Sequence, residues 1–407
     1  MKMFLLGWLS ATLAAGVLVA TAAPSGLDYT IPVPGKPFGV AVSPGQQWVF
    51  VSLLGPAPGG SPGIVVLQQK DGHPEIVRTV PLKNAPAGIV LTHDGSLLIA
   101  SAGDSVIFFD TARLESGASD AAFQWVSDGP RTGSIYVNVS ADDQTLFVSD
   151  EDAQTITVID LARIRSLGSD AAANLKSFNT PGYVSPAIVG KIPVGIAPIA
   201  LTFSPDQRWL FTTSEVAPPA WGWPAVLKRE GGRPGQVPEG ALIVVDALKA
   251  RTDPANSVVA RIPAGGSPVR LSLSPRDHRL YLTARNSNAL LVFDTDQVLT
   301  NAAHAVPVKV PVGTSPVPVV AVLDGKLVLV GNSDRFNPLA ATSSILTVLD
   351  AAKIGTSQNP KIGEITSGAF PREFHLTPDG KTLYLSNFLS GTIQVFDVAS
   401  LASFLSP

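Results

Sequence analysis

The 407-residue chain contains no cysteine. This absence excludes disulfide bonds, thiol chemistry, cysteine-ligated zinc, iron–sulfur clusters and the covalent attachment of c-type haem. A chain without disulfides has to stabilise its fold by burying apolar surface, and 45% of its residues are hydrophobic. The length and composition together suffice for one large domain or two ordinary ones.

The sequence also lacks a surplus of basic charge. It has 29 Lys and Arg residues against 32 Asp and Glu residues, and its formal net charge is only −3. No run of basic residues stands out anywhere in the chain. We therefore expect neither nucleic acid nor an anionic membrane surface as a partner.

Long hydrophobic runs are missing except at the N-terminus, which reads "MKMFLLGWLSATLAAGVLVATAAPSG". One lysine precedes an apolar run from Phe4 to Val19, and small residues follow at Ala20 and Ala22. The run is short for a bilayer span and ends in an A-x-A pattern, which predicts a secretory signal peptide over residues 1–22, cleaved after Ala22. The alternative is an uncleaved anchor. With cleavage, we expect a secreted or periplasmic protein with no membrane span, in which residues 23–407 form a single domain.

Seven tight turns divide this region into repeats. The turns read "SPGQ" at 43, "THDG" at 92, "SADD" at 140, "SPDQ" at 204, "SPRD" at 274, "VLDG" at 322 and "TPDG" at 377. Alternating strands such as "WVFVS" and "TLYLSN" flank each turn, and a third strand ends in Asp in most repeats, as in "ITVID" and "IQVFD". Four short strands in each of seven repeats predict an all-β fold, a seven-bladed β-propeller of four-stranded antiparallel blades. The segment "LDYTIPVPG" (27 to 35) has the pattern of a fourth strand, and we expect it to close the ring on the last blade.

The repeated segments "FVSD" and "YLSN", together with "IPVG" and "VID", resemble the repeats of the YVTN β-propeller family. The resemblance extends over essentially the whole chain after the signal peptide. It implies a seven-bladed propeller in a family that includes surface-layer, periplasmic and lactonase-like members. One activity that it implies is therefore hydrolysis of a lactone.

The strand before each tight turn is predicted to line the central channel. Side chains alternate along a strand, so one set packs between blades and the other faces the channel. The channel set is small or polar in most repeats, but Tyr136, Asn138, Arg270, Glu373 and His375 stand out. Glu373 and Arg270 occupy equivalent heights, so we expect them to face each other across the channel.

Two interpretations of these residues remain open. A salt bridge can plug the channel, or Arg270 can bind an anion while Glu373 and His375 transfer protons as catalytic groups. His375 is the one histidine of five that the repeats place on the channel. We therefore expect neither a metal site nor a haem or other cofactor.

Loops that follow the second strand of each blade should surround the channel mouth. The longest, residues 215–240, carries Trp221 and Trp223, which either pack the loop onto its blade or form an aromatic wall over the channel with Lys228, Arg229 and Arg233. Arg335 and Phe336 in a second loop, and Arg372 at the rim, are further candidates for binding a ligand. The insertion over residues 166–188 belongs to the opposite face, where we expect a short helix and a connector.

Three functions fit these features. The first is a propeller that binds a small molecule or a protein partner at the channel mouth without turnover. The second is a lactonase-like hydrolase that uses Glu373, His375 and Arg270. The third is a propeller subunit that docks onto an oxidoreductase or another protein. We expect the chain itself to be monomeric.

Overall fold

A computed structural model describes residues 27–56, 60–223, 226–228, 236–335 and 343–405 of the chain. The predicted signal peptide, residues 1–22, lies outside these ranges.

Seven antiparallel sheets follow one another along the chain, as the repeats predict. In order from the channel outward, the blades consist of these strands: blade 1, β2 (Gly35–Val42), β3 (Trp48–Pro56), β4 (Gly63–Lys70) and β5 (His73–Pro81); blade 2, β6 (Ile89–Leu91), β7 (Leu97–Ser101), β8 (Ser105–Asp110) and β9 (Ala122–Ser127); blade 3, β10 (Ser134–Val139), β11 (Thr145–Asp150), β12 (Thr155–Asp160) and β13 (Ile188–Pro193); blade 4, β14 (Ile196–Phe203), β15 (Trp209–Val216), β17 (Gln236–Asp246) and β18 (Val258–Gly266), with β16 (Val226–Lys228) added to β17; blade 5, β19 (Pro268–Leu273), β20 (Arg279–Ala284), β21 (Ala289–Asp294) and β22 (Val308–Pro311); blade 6, β23 (Pro316–Val322), β24 (Leu327–Asn332), β25 (Ser343–Asp350) and β26 (Lys361–Gly368); blade 7, β27 (Pro371–Leu376), β28 (Thr382–Asn387), β29 (Thr392–Asp397) and β1 (Leu27–Pro32).

Blade 4 differs from the four-stranded expectation. Its third strand, β17, is eleven residues long, and its first residues extend beyond the edge of β18. The insertion over residues 215–240 uses this extension, since β16 pairs antiparallel with it and places Val226 opposite Pro238. A segment expected to be only a loop therefore contributes a short strand.

The ring closes through the N-terminal strand, and this confirms the expected closure. β1 pairs antiparallel with β29, where Thr30 lies opposite Gln394. On the channel side, the hydroxyl of Ser386 in blade 7 donates a hydrogen bond to the carbonyl of Phe38 in blade 1, at 2.7 Å. The N-terminal strand therefore completes blade 7 as its outermost strand and joins the two ends of the described chain.

The same kind of hydrogen bond joins other neighbouring blades. Ser52 of β3 donates to the carbonyl of Ala87 at 2.5 Å. Ser149 of β11 donates to that of Ile199 at 3.0 Å, and Thr283 of β20 donates to that of Val317 at 2.8 Å. The hydroxyl residue in the "FVSD" and "YLTA" segments therefore links one blade to the inner strand of the next.

The recurring turns and the recurring aspartates each have a local cause. In the last turn, Thr377 accepts a hydrogen bond from the amide of Thr382 at 3.0 Å and donates one to Asp379 at 2.7 Å, while Gly380 adopts φ 69°. The aspartates that end the third strands cap short helices, because their carboxylates accept hydrogen bonds from amides in the first turn. Asp110, Asp160, Asp246 and Asp294 cap α1 (Thr111–Ser116), α2 (Leu161–Ser166), α4 (Ala247–Ala250) and α5 (Thr295–Thr300). In the insertion over residues 166–188, the expected short helix is α3 (Ala171–Phe178), which Asp170 caps.

The core lies between blades. Val40 and Val42 of blade 1 pack in one cluster with Tyr384 of blade 7, and Phe374 and Leu376 of blade 7 pack on a cluster that blade 6 shares. These are the bulky positions of the inner strands, so the alternate residues are left to face the channel.

Candidate functional site

Tyr136, Arg270 and Glu373 occupy the same structural position in blades 3, 5 and 7. Each inner strand has a bulge just before this residue, and the residue lies opposite a serine or threonine of the second strand. The corresponding positions of blades 1, 2 and 4 hold Gly39, Gly88 and Ala200. A β-carbon on Gly88 would lie 2.8 Å from the carbonyl oxygen of Ile135 and 3.3 Å from Cδ1 of Tyr136. The small residues thus leave space for the three large side chains.

These three side chains form one bridge across the channel. Arg270 donates through Nη2 to the hydroxyl of Tyr136, and that hydroxyl donates to Oε2 of Glu373. The Arg270 guanidinium also lies over the Tyr136 ring, 4.2 Å from its centroid, and donates through Nη1 to the carbonyl of Val269 at 2.9 Å. The expected facing pair, Glu373 and Arg270, is therefore joined through a third residue, and we call the three the bridge.

Burial controls the protonation of the bridge. It raises the pKa of the Glu373 carboxyl, against the opposing effects of Arg270 and of the Tyr136 hydrogen bond. Burial likewise raises the pKa of Tyr136 well above its ordinary value. The phenol consequently keeps its proton and remains the donor to Glu373.

On the loop-rich side of the bridge lies a pocket of about 260 Å³, which we call the mouth pocket. Its lining combines apolar groups with four arginines and two glutamates: Leu54, Ile135, Ile199, Val269, Phe370 and Phe388, with Arg270, Arg285, Arg335, Arg372, Glu151 and Glu215. Glu215 forms an ion pair with Arg285 at 2.5 Å, and both side chains are largely buried. Positive charge is therefore only partly neutralised among the lining residues.

Arg372 occupies an unusual place in this pocket. Its guanidinium lies 4.3 Å from the ring centroid of Phe38 and 5.7 Å from that of Phe370. Within the described ranges no carboxylate lies within ion-pair distance of it, although other arginines of the pocket are nearby. Burial, together with the charge of Arg270, lowers the pKa of Arg372 to about 9. The guanidinium of Arg335 also lies over the Phe370 ring, 5.4 Å from its centroid.

Several residues of the mouth pocket are not among those that the repeat pattern singled out. Three of them lie at the end of a second strand, where loops were expected to reach the mouth. Glu151 and Arg285 directly follow such a strand, and Glu215 is the penultimate residue of one. That position in the repeat is the signal that could have identified them. Phe370 precedes an inner strand with φ 56°, a conformation that no sequence pattern in the repeat indicates.

On the other side of the bridge the channel widens into a second cavity of about 540 Å³, which we call the turn-side chamber because Pro44, His93 and Pro378 of the tight turns line it. Tyr136, Glu373, His375 and Asn138 also line this chamber.

Asn138 is engaged with the backbone in this chamber. Its side-chain amide donates to the carbonyl of Leu201 at 3.0 Å and accepts from the amide of Val139 at 2.9 Å. The side chain thus fixes neighbouring strands, and little of its hydrogen-bonding capacity faces the chamber.

His375 has no hydrogen-bond partner among the described residues, and its Nε2 is fully buried. Burial lowers the pKa of its imidazole to about 4, so the ring is neutral over most of the pH range. No hydrogen bond joins His375 to Glu373, whose carboxylate accepts from Tyr136 instead.

Trp221 and Trp223 lie outside both cavities. Their ring centroids are 5.3 Å apart, and both indoles pack against the core shared by blades 3 and 4. Arg261 lies over Trp221 at 5.0 Å. Neither indole lines the mouth pocket, so the structure does not bring them together with Arg372. The side chains of Lys228, Arg229, Arg233 and Phe336 lie outside the described residues.

The described part of the chain contains neither a candidate metal site nor a candidate membrane-spanning helix. No group of three or more His, Cys, Asp and Glu residues there is arranged to hold a metal ion. No helix there is long and apolar enough to cross a bilayer.

Comparison with known proteins identifies the fold and leaves the family open. No protein-family model matches the sequence, and no curated protein matches it. Among solved structures, a chain of the Kuenenia stuttgartiensis hydrazine synthase superposes with a TM-score of 0.61 at 16% identity, covering 95% of this chain and 100% of that one. A chain from the crystal structure of a mitotic checkpoint complex gives a TM-score of 0.61 at 12% identity, covering 96% of this chain and 99% of the other. At these identities the likeness concerns the fold alone, and the chain is a seven-bladed β-propeller.

Proposed function

We propose that this protein is a binding module whose mouth pocket takes an anionic group, in the first place a carboxylate, without turnover. The observation that carries the proposal is Arg372, a largely buried guanidinium that stacks on Phe38 and Phe370 and has no carboxylate within ion-pair distance among the described residues. A buried charge without a paired partner is costly, so a bound anion would stabilise it.

The geometry of the guanidinium supports this choice of ligand. Contacts with two rings restrict the position of the guanidinium, and a guanidinium can bind a carboxylate through two parallel hydrogen bonds. Arg335 lies over the same phenylalanine and adds a second positive charge to the lining. Glu151 and Glu215 face the same space and oppose the entry of multiply charged anions.

The size of the pocket limits the occupant. About 260 Å³ is near the lower end of the range for small-molecule sites. It suits a small carboxylate or the acidic side chain of a partner protein, and both sources present the same group. The two similar structures carry the names of an enzyme and of a protein complex, which is compatible with a protein source for the carboxylate.

The hydrolase alternative has less support from the geometry. A histidine that acts as general base is normally oriented by a hydrogen-bonded third group. His375 has no such partner among the described residues. Glu373 does not orient it, because the Glu373 carboxylate accepts a hydrogen bond from Tyr136 instead. Secretion or residence in the periplasm, a monomeric state and membership of the YVTN family remain parts of the proposal that rest on the sequence patterns.

Calorimetric titration tests the proposal with acetate, succinate and a short acidic peptide as separate ligands. We expect at least one of them to bind with a single site and the Arg372→Met variant to bind it at least tenfold more weakly. Arg276→Met is the matched control, because Arg276 pairs with Asp324 on the exposed surface, and we expect it to change affinity less than twofold. Tighter binding of the peptide than of succinate identifies a protein source. Absence of binding by all three, or equal effects of the two variants, refutes the proposal.

A further inference from the structure

The turn-side chamber is a separate space from the mouth pocket. The bridge of Arg270, Tyr136 and Glu373 lies between them, and the two linings share none of their residues. With about 540 Å³, the chamber falls within the usual range for small-molecule sites. Its outer end is bounded by Pro44, His93 and Pro378, so a molecule would enter from the face of the tight turns.

The lining of this chamber combines aliphatic and polar residues. The aliphatic ones are Val40, Ala41, Val42, Ile89, Val90, Leu91, Val137, Leu201 and Leu376, and the polar ones are Thr92, His93, Tyr136, Asn138, Glu373 and His375. No lysine or arginine is among the lining residues. The acid that faces it, Glu373, accepts a hydrogen bond from Tyr136, and His93 is engaged through Nδ1 with Asp143 at 2.8 Å. An anionic ligand would therefore lose its hydration without gaining an opposite charge, and the one carboxylate that a cation would meet, Glu373, already accepts a hydrogen bond from Tyr136.

His375 supplies the one polar group of the lining that is without a partner. Its ring makes no hydrogen bond with any described residue, and it belongs to the same strand face as Glu373, two positions further from the mouth. Nε2 is enclosed by protein and Nδ1 is not, so Nδ1 is the ring nitrogen that a hydroxyl in the chamber can reach, and it donates or accepts according to the tautomer. Most buried polar side chains do find a partner, which makes this ring the natural anchor for a ligand.

We infer that the turn-side chamber is a second ligand site, which takes an uncharged molecule with an apolar body and one hydroxyl group, and that His375 recognises the hydroxyl. The site differs from the mouth pocket in entrance, in charge and in ligand class. The evidence for this second site does not depend on anion binding at the mouth pocket.

Two fluorescent probes test this site on the protein without its signal peptide. We expect 2-naphthol to bind with one-to-one stoichiometry and at least fivefold more tightly than naphthalene, which lacks the hydroxyl. His375→Leu should remove this preference while leaving the affinity for naphthalene within twofold. Val90→Phe, which fills the chamber, should weaken both probes at least tenfold. Val306→Phe makes the same change at a residue that is 78% exposed and should have no effect on either probe.

Folding and location are checked in the same series. Each variant is first shown to unfold cooperatively, and amide exchange of the wild type with and without 2-naphthol locates the probe. We expect added protection in residues 89–91 and 373–376. If Val90→Phe does not fold, the preference lost in His375→Leu and the exchange pattern decide the question. Absence of saturable binding, protection confined to another part of the chain, or a preference for 2-naphthol that survives in His375→Leu overturns the inference.

Discussion

The mouth pocket and the turn-side chamber are built by the same inner strands but differ in almost every property. Arg372 and Glu373 belong to the mouth and the bridge, whereas His375, two residues later on the same strand, belongs to the chamber. Four arginines and two glutamates line the mouth pocket, whereas no lysine or arginine lines the chamber, where His375 is a neutral imidazole. The difference shows that a step of two residues along one inner strand is enough to change the chemical character of the space that a side chain lines, when a bridge lies between the two spaces.

The largest effect should come from removing the acid of the bridge. Glu373→Gln keeps the shape of the side chain but leaves Arg270 and Arg372 without their nearby negative charge. Uncompensated buried charge typically costs about 3–5 kcal/mol, and we expect a loss of that order in the free energy of unfolding. The affinity of the mouth pocket for an anion should rise at the same time, because a repulsive charge has been removed. Chemical denaturation and calorimetry measure the two effects.

Glu364→Gln is the control for this substitution, since Glu364 forms an exposed ion pair with Lys361 at 2.5 Å. Such pairs contribute about 0–1 kcal/mol. Equal losses of stability in the two variants would show that the bridge does not hold buried charge.

A second experiment displaces the strand that carries Tyr136 of the bridge without changing any charge. In Gly88→Ala, the new β-carbon meets backbone atoms of Ile135 and Tyr136 at 2.8 and 2.9 Å, so the Tyr136 strand has to move. Overpacking of this kind costs about 1–3 kcal/mol, and we expect a loss of about 2 kcal/mol by urea denaturation. Gly45→Ala places its β-carbon in open space and should change stability by less than about 0.5 kcal/mol. A Gly88→Ala protein as stable as Gly45→Ala would mean that Tyr136 is not closely packed.

Much of this arrangement could be predicted from the sequence. The repeated turns and alternating strands were sufficient for the number of blades and for ring closure, because these features depend on local periodicity. The same alternation placed Tyr136, Arg270 and Glu373 at one level of the channel. It could not predict that the Tyr136 hydroxyl lies between the other two, since that contact depends on distances across the ring.

The loops were less predictable for a related reason. The sequence left two placements open for Trp221 and Trp223, and both indoles pack against the core of blades 3 and 4 and are absent from the lining of the mouth pocket. Glu215 and Arg285 were missed because their pairing joins two different blades. Strand bulges are also not visible in the sequence pattern, and one of them lies between Pro371 and Glu373, just before the residue that joins the bridge.

A third experiment uses the pH dependence of stability to test the burial of His375, which belongs to the chamber and not to the mouth pocket. His375 has its pKa lowered to about 4 in the folded protein, against about 6.5 in the unfolded chain. Between these values the unfolded state binds more protons, so stability should fall as the pH decreases from about 6.5 to 4, by up to about 1.4 kcal/mol per pH unit. His375→Leu should lack this contribution, so its free energy of unfolding should depend less on pH in this window. His304→Leu, at an exposed position, should follow the wild type, and coinciding curves for wild type and His375→Leu would contradict the burial of a neutral ring.

The smallest expected effect concerns the tryptophan that the sequence linked to the mouth. Trp221→Phe retains an aromatic ring but weakens the contacts with Trp223 and with Arg261. Stacking contacts of this kind are worth about 0.5–1.5 kcal/mol each, so we expect stability to fall by about 1 kcal/mol. The affinity of the mouth pocket for its anion should stay within twofold, because the indole lies outside the lining. A tenfold loss of affinity in a stable Trp221→Phe protein would mean that Trp221 contributes to the mouth pocket, and the comparison of the mouth pocket with the chamber would then have to include this indole.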